Sequence, residues 1–278
     1  MIRLSVILIV RDEAHCLERC LRSVRAIADE VVVLDSGSTN GTVAIARSFG
    51  ARIESTDWPG YGPQKNRALN RATGEWVLSI DADEHVTPEL AASIRAAVDA
   101  APTEVNGYYI RFLATWCGKP VRFGDWGRKW HLRMFRRAAA HFTDVPVHER
   151  VVCEPPVGRL DGYMIHDSIA SEEEAREKTR LYGELGAGLL RARRVGGFGP
   201  ALIHAAWAFA RGFVLKAGFL DGVVGWKIAV EVTRRTWLRY RLAGELAGFD
   251  RLHYEVVVLA RFALFIALML LVDVAAAA

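Results

Sequence analysis

The sequence is short of the features that mark several common classes. Of its 278 residues four are cysteines, Cys16, Cys20, Cys117 and Cys153. Cys16 and Cys20 share a helix face, but no second Cys or His pair completes a zinc pattern, so all four read as reduced, mostly buried thiols of a cytosolic protein. No Gly-x-Gly-x-x-Gly follows the first apolar run and no Gly-Lys-Ser/Thr loop occurs, which argues against a dinucleotide Rossmann domain and a P-loop. A strong charge bias is lacking too. The net charge of +4 is compatible with anionic lipid or a nucleotide-sugar and too weak for nucleic acid. The first apolar run, Leu4 to Val10, is too short for a signal peptide and meets Arg11, Asp12 and Glu13 at once. The expected location is therefore cytoplasmic.

What is present alternates strand with helix. Leu4 to Val10 and Glu30 to Leu34 read as strands buried on both faces, with Leu17, Cys20, Leu21, Val24 and Ile27 at helical spacing between them. A helix over Thr42 to Phe49, a short strand Arg52 to Ser55 and a helix over Gln64 to Ala72 follow. Next comes Trp76-Val77-Leu78-Ser79-Ile80-Asp81-Ala82-Asp83-Glu84, an apolar strand running into carboxylates. Thr87 and Pro88 then open a further helix. This order predicts βαβ units and a mostly parallel sheet, whose ligands sit at the carboxyl ends of strands. Oxygen ligands at Asp81 and Asp83, with little room for a full protein cage, suit Mg²⁺ or Mn²⁺ shared with a substrate phosphate. By itself the triplet equally fits an acidic loop capping the next helix.

From Gly107 the pattern changes. Tyr108 to Phe112 and Lys129 to Arg136 read as strands, and the loop between them carries Trp116, Lys119, Arg122, Phe123, Trp126 and Arg128. Such a loop suits sugar rings and phosphates, or a hairpin packed on the sheet. Ser171 with Glu174 is a capping box for a helix running to about Arg194. Pro200 to Lys216 and Trp226 to Tyr240 mix aromatic, apolar and basic residues as an interfacial helix does. The apolar run Phe262 to Val272, even extended back to Val256 across Arg261, reaches only the lower limit of a membrane span. Peripheral attachment to the inner membrane is the expectation, against helices that simply pack on one another.

The motifs together resemble the family-2 inverting glycosyltransferases of GT-A fold, over roughly residues 2 to 170. The residues are Val10-Arg11-Asp12-Glu13, the turn Asp35-Ser36-Gly37-Ser38-Thr39-Asn40-Gly41-Thr42, Gln64-Lys65-Asn66-Arg67, Asp81-Ala82-Asp83-Glu84 and His148-Glu149. Asn40 stands where the family usually has an acid. Leu132 to Arg136, Val147-His148-Glu149, His166 and Gly218-Phe219-Leu220-Asp221-Gly222 are closer still to the lipopolysaccharide-core β-1,4-glucosyltransferase branch.

The resemblance implies a GT-A, Rossmann-like catalytic domain over 1–170 and a helical, partly amphipathic membrane-associating region over 171–278. It implies inverting transfer of glucose or another hexose from a UDP-sugar onto a glycan or lipid-linked acceptor such as lipopolysaccharide core. Donor contacts fall on Arg11, Glu13, Asp35, Lys65, Arg67 and Asp81. Metal ligands fall on Asp83, Asp81 and His166, and the base on Glu149, with His148 as the alternative. A sugar-nucleotide-forming nucleotidyltransferase would show a glycine-rich basic loop after the first strand, where Arg11-Asp12-Glu13 stands. A non-catalytic carbohydrate- or lipid-binding protein would leave the Asp35, Asp83 and Glu149 series without a reason.

Overall fold

The computed structural model describes residues 3–100, 104–145, 149–193 and 195–245. In chain order these form β1 (Leu4–Val10), α1 (Leu17–Val24), β2 (Glu30–Asp35), α2 (Thr42–Ser48), β3 (Arg52–Ser55), α3 (Tyr61–Arg71) and β4 (Trp76–Ser79). There follow β5 (Glu84–Val86), α4 (Pro88–Ala100), β6 (Gly107–Trp116), β7 (Lys119–Pro120), β8 (Lys129–Arg136), β9 (Ala140–Phe142), β10 (Val151–Cys153) and β11 (Val157–Ile169). The helices α5 (Glu172–Ala192), α6 (Phe198–Phe209) and α7 (Gly222–Glu245) come last. The expected run Val256 to Val272 lies outside the described residues.

Two compact units emerge. The first holds the described residues up to Thr115 and those from Arg128 to Ser168; the second holds Trp116–Gly127 and the described residues from Ile169 onward.

In the first unit the sheet runs β3-β2-β1-β4-β8-β6-β11-β5. The pairs β2–β3, β1–β2 and β1–β4 are parallel, while β4–β8, β6–β8 and β5–β11 are antiparallel. Strand alternation explains why β1 is apolar at every position but Ser5. Leu4, Val6, Leu8 and Val10 pack with Leu17, Leu21 and Val24 of α1 and with Leu90, Ile94 and Val98 of α4. Ile7 points the other way, to Val32, Leu34 and to Ala68 and Leu69 of α3. Both faces are covered, as a parallel sheet requires. Helix α3 begins three residues before the expected start, because Gly60 turns the chain at φ 111° and Pro63 falls in the first turn, where its missing N–H costs nothing. The three-residue β5 was too short to be read as a strand.

In the second unit, α5 and α7 approach closely through glycine. A Cβ on Gly183 would lie 2.8 Å from Leu238 and one on Gly186 2.5 Å from Arg239. Ser171 caps α5 by accepting the Glu174 N–H at 3.1 Å, while the Glu174 carboxylate takes the N–H of Ala170 at 2.7 Å. The aromatic and basic loop is fastened here. Asp221 accepts the N–H groups of Arg122 and Phe123 at 2.9 and 2.8 Å, and Asp125 pairs with Arg211 and Lys216 at 2.8 and 2.7 Å. Among the described residues, the helical stretch Phe198–Leu215 is long and apolar enough, by length and composition, to cross a membrane.

Glu30 ties the start of β2 to its neighbours. Its carboxylate accepts from Ser5 Oγ at 2.5 Å and from Thr73 N and Oγ1 at 2.9 and 3.1 Å, and pairs with Arg52 at 2.9 Å. Burial opposes its charge, but these partners outweigh burial and hold its pKa below the usual value. The folded chain therefore binds this proton more weakly than the unfolded chain. Glu30→Gln should cost about 1–2 kcal/mol at pH 7, and the deficit should shrink as pH falls below ~4.5. Urea unfolding at a series of pH values measures it. A deficit independent of pH contradicts the assignment.

Candidate active site

Three parallel strands deliver polar residues to one edge of the sheet. Val10 of β1 pairs with Asp35 of β2, and Ile7 of β1 with Ser79 of β4, so the segments after these strands lie together at their carboxyl ends. The order β3-β2-β1-β4 places the topological switch between β1 and β4.

The turn after β2 is fastened on itself. Asp35 is 4% exposed, and its carboxylate accepts the N–H groups of Gly37 and Ser38 at 3.2 and 3.1 Å. Gly37 adopts φ 88°, which suits glycine. Asp12, at φ 58°, clamps the same turn, accepting from Thr39 N at 2.7 Å and donating its own N–H to Ser38 Oγ at 2.9 Å. Asp12 therefore makes the link between the β1 and β2 turns, while Arg11 beside it is exposed and Glu13 half-buried. Gln64 of α3, fully buried, donates to Ser36 Oγ at 3.0 Å and so joins this turn to the next part of the site.

Lys65 follows Gln64 on the buried stripe of α3, with Ala68 and Leu69. Its ammonium lies 3.0 Å from Asp81 Oδ1 and 2.8 Å from Glu149 Oε1. Arg133, on β8, takes the other Asp81 oxygen at 3.0 Å and Glu84 Oε1 at 2.9 Å, with its guanidinium 5.2 Å from the Phe112 ring. Glu84 closes the set, its Oε2 accepting the Asp81 N–H at 2.9 Å. Two cations thus hold three carboxylates, of which Glu149 lies far from the other two in sequence. Burial opposes the charge on Lys65 and on Asp81, yet in each case the oppositely charged partners prevail. Lys65 is raised, and the Asp81 carboxyl is held well below the usual range. Glu84 behaves differently: burial, with Asp81 close by, outweighs its share of Arg133 and lifts it to about 7.

The second carboxylate of the triplet is the available one. Asp83 Oδ2 lies 3.1 Å from His166 Nε2, and both side chains are over a third exposed. Strand β5 explains the meeting, since His166 of β11 is registered opposite Glu84 and Asp167 N donates to Asp83 O at 2.9 Å. Burial lowers the His166 pKa, but the hydrogen bond to Asp83 and the surrounding carboxylates outweigh it and raise it. Two adjacent ligands each about 2.1 Å from an octahedral ion stand ~3.0 Å apart, so this oxygen–nitrogen pair fits a divalent metal and leaves positions for phosphate oxygens.

The structure thus brings together Lys65, Asp81 and Glu149, and separately Asp83 with His166. Asp81 spends both oxygens on Lys65 and Arg133. Arg67 pairs instead with Asp57 at 2.7 Å, and Asn66 binds the backbone of Phe142 through both N–H and C=O at 2.8 Å. His148 lies outside the described residues. Arg133 is a cluster member that sequence reasoning did not single out, and Glu84 is one it named among the strand-end carboxylates without giving it a role. Their marks were an arginine between Leu132 and Met134 in a strand, and a third acid directly after the triplet. Glu13, His15 and Cys16 also gather within 4.8 Å, but burial and Glu13 hold the Cys16 thiol high, and it donates to Glu13 Oε2 at 3.3 Å. A neutral thiol is a poor ligand.

Lys65→Met should strand Glu149 and half of Asp81 beside Arg133. Breaking a buried ion set in this way costs about 3–5 kcal/mol, so a loss near the lower figure is expected in denaturant unfolding. A loss under about 1 kcal/mol, the size of a surface ion pair, contradicts a buried cluster.

A profile of Glycosyl transferase family 2 matches residues 5–153. An uncharacterized glycosyltransferase of Rickettsia felis is 43% identical over 239 residues, covering 81% of this chain and 83% of that protein. The lipopolysaccharide core biosynthesis glycosyltransferase LpsC of Rhizobium meliloti is 30% identical over 191 residues, 66% of this chain and 70% of that one. Among solved structures, glucosyl-3-phosphoglycerate synthase from Mycobacterium tuberculosis, in complex with Mn²⁺, UDP and glucosyl-3-phosphoglycerate, aligns at 25% identity and a TM-score of 0.34, over 42% of this chain and 45% of that one. The chain spans less than half of that solved protein, and 25% of another curated relative that is 44% identical over 100 residues. With the profile covering more than half of the sequence and the Rickettsia felis protein aligned along most of both chains, this chain is a glycosyltransferase of GT-A fold and belongs to glycosyl transferase family 2.

Proposed function

We propose that the chain transfers a hexose from a UDP-sugar, with inversion, to a glycan or lipid-linked acceptor of the lipopolysaccharide-core type. The observation that carries the reading is the single Lys65 ammonium that joins Asp81, at the end of β4, to Glu149, some seventy residues later. The likeness to LpsC supports the acceptor class. Residues 1–170 are the catalytic part in this reading. The helical region attaches to the inner face of the membrane, which exposed Trp226 and Lys227 suit.

Asp83 and His166 would hold Mg²⁺ or Mn²⁺, which when bound neutralises charge on the diphosphate leaving group. Asp35 and the turn it fastens present hydrogen-bonding groups to the nucleoside, flanked by Arg11 and Glu13. Lys65 and Arg133 fix Asp81 beside that site. Glu149 is the base. Its carboxylate takes the proton of the acceptor hydroxyl as that oxygen bonds to the anomeric carbon. The bond from that carbon to the diphosphate breaks on the opposite face, so an α-linked donor gives a β-product. The Lys65 contact at 2.8 Å sets the direction in which Glu149 presents its oxygens. His148 is the alternative base, its ordinary pKa lying nearer neutrality.

Glu149→Gln keeps a hydrogen-bonding group of the same size beside Lys65. It should bind donor within about twofold of the parent and lose transfer by ~10²–10⁴-fold, the usual share of a general base. Full turnover by this variant would rule out the base assignment. Asp83→Ala should lose the metal dependence of UDP-sugar binding, seen as Mn²⁺-dependent thermal stabilisation across a panel of UDP- and GDP-sugars. Undiminished stabilisation would count against the ligand assignment.

A further inference from the structure

The helices of the second unit leave a groove of about 580 Å³. Its walls are apolar, with Leu202, Ala205 and Ala206 from α6 and Trp237 and Leu238 from α7. Arg176 of α5 and Arg234 of α7 also line it. A smaller cavity of about 140 Å³ shares Arg176, Glu231 and Arg234 with the groove and adds Trp116, Trp226 and Lys227. An apolar space and a smaller, more polar one thus share Arg176, Glu231 and Arg234 as walls.

The small cavity holds unmet polar groups. Trp116 is 3% exposed and its Nε1 has no hydrogen-bond partner among the described residues. Glu231 engages Arg234 at 2.8 Å through Oε1, while Oε2 is buried and has no partner among the described residues. Buried polar atoms are nearly always paired, so an orphan donor and an orphan acceptor at one cavity point to a polar occupant. The charge balance gives its sign. Lys227 pairs with Glu172 and Arg234 with Glu231, whereas Arg176 forms no ion pair among the described residues. Glu172, which also lines the small cavity, acts on Arg176 at longer range, so three cations there face two acids and one positive charge is in excess.

We propose that this helical unit binds an anionic single-chain amphiphile, a lipid phosphate. Its hydrocarbon lies in the groove, and its phosphate meets Arg176 and the Trp116 N–H. A hydroxyl next to the phosphate donates to Glu231 Oε2. A zwitterionic headgroup brings a cation of its own into a space already in excess of positive charge, and free phosphate leaves the groove empty. The proposal extends the acceptor class given above and rests on that reading for the ligand's role, although binding itself requires no transfer.

Calorimetric titration of the full chain tests it, with no donor present. The probes are 1-oleoyl lysophosphatidic acid below its micelle concentration, lysophosphatidylcholine of the same chain length, and inorganic phosphate. Lysophosphatidic acid should bind at least tenfold more tightly than either of the others. Arg176→Gln should weaken it about tenfold. Leu202→Trp, which fills the groove from a position 54% exposed, should abolish saturable binding while leaving the circular dichroism unchanged. Equal affinity of both variants, or equal binding of the zwitterionic lipid, overturns the proposal. So does absence of binding to the unaltered chain, the result expected if residues 246–278 fill the groove. A loss of glycosyl transfer leaves these titrations in place, and failed titrations leave the transfer assay untouched.

Discussion

A buried ammonium surrounded by carboxylates is the constraint on which the first unit depends. Lys65 is 5% exposed and sits on the apolar stripe of α3, a position an unpaired lysine does not hold. Asp81 and Glu149 make it tenable, and Arg133 compensates the second oxygen of Asp81 and the buried Glu84. Each member is costly alone, so the set fixes the relative positions of α3, the end of β4, β8 and the segment entering β10. Through that cluster the chain holds one carboxylate back and leaves the next one, Asp83, open beside His166.

Much of this was legible in the sequence. The apolar runs within β1 and β2 announced strands covered on both faces, and helical spacing between them announced the crossover that makes the pairs parallel. The carboxylates at strand ends followed from that topology. The expected ranges of β3 and β8 coincide with the observed strands. What periodicity does not show is a pairing between distant segments. The three residues of β5 are too few to make a pattern, and without β5 nothing in the sequence says that His166 stands opposite Glu84. Arg133 was hidden for a related reason. It alternates in its strand like a solvent-facing residue, and only the fold shows that its side chain is 15% exposed between two acids.

The helical region teaches the complementary point. Asp221, within Gly218-Phe219-Leu220-Asp221-Gly222, is a fastening. Its carboxylate holds two backbone N–H groups of the loop 116–127, and a Cβ on Gly225 would meet the carbonyl of Gly218. The aromatic and basic loop that read equally as a sugar platform or a packed hairpin belongs by its contacts to this unit, with Trp116 buried and Asp125 between two cations. The acid of that motif is thereby explained by backbone hydrogen bonding, Gly218 by packing, since a Cβ there would lie 2.6 Å from the carbonyl of Gly212, and Gly222 by its φ of 60°.

The central claim is a division of labour in the triplet: Asp81 is held by Lys65 and Arg133, and Asp83 with His166 receives the metal. Anomalous scattering from crystals grown with Mn²⁺ and UDP tests it most directly. The account predicts one manganese peak bonded to Asp83 and His166, with the Lys65–Asp81 contact intact. A peak bonded to Asp81 with Lys65 displaced, or one seated on Glu13, His15 and Cys16, would contradict it.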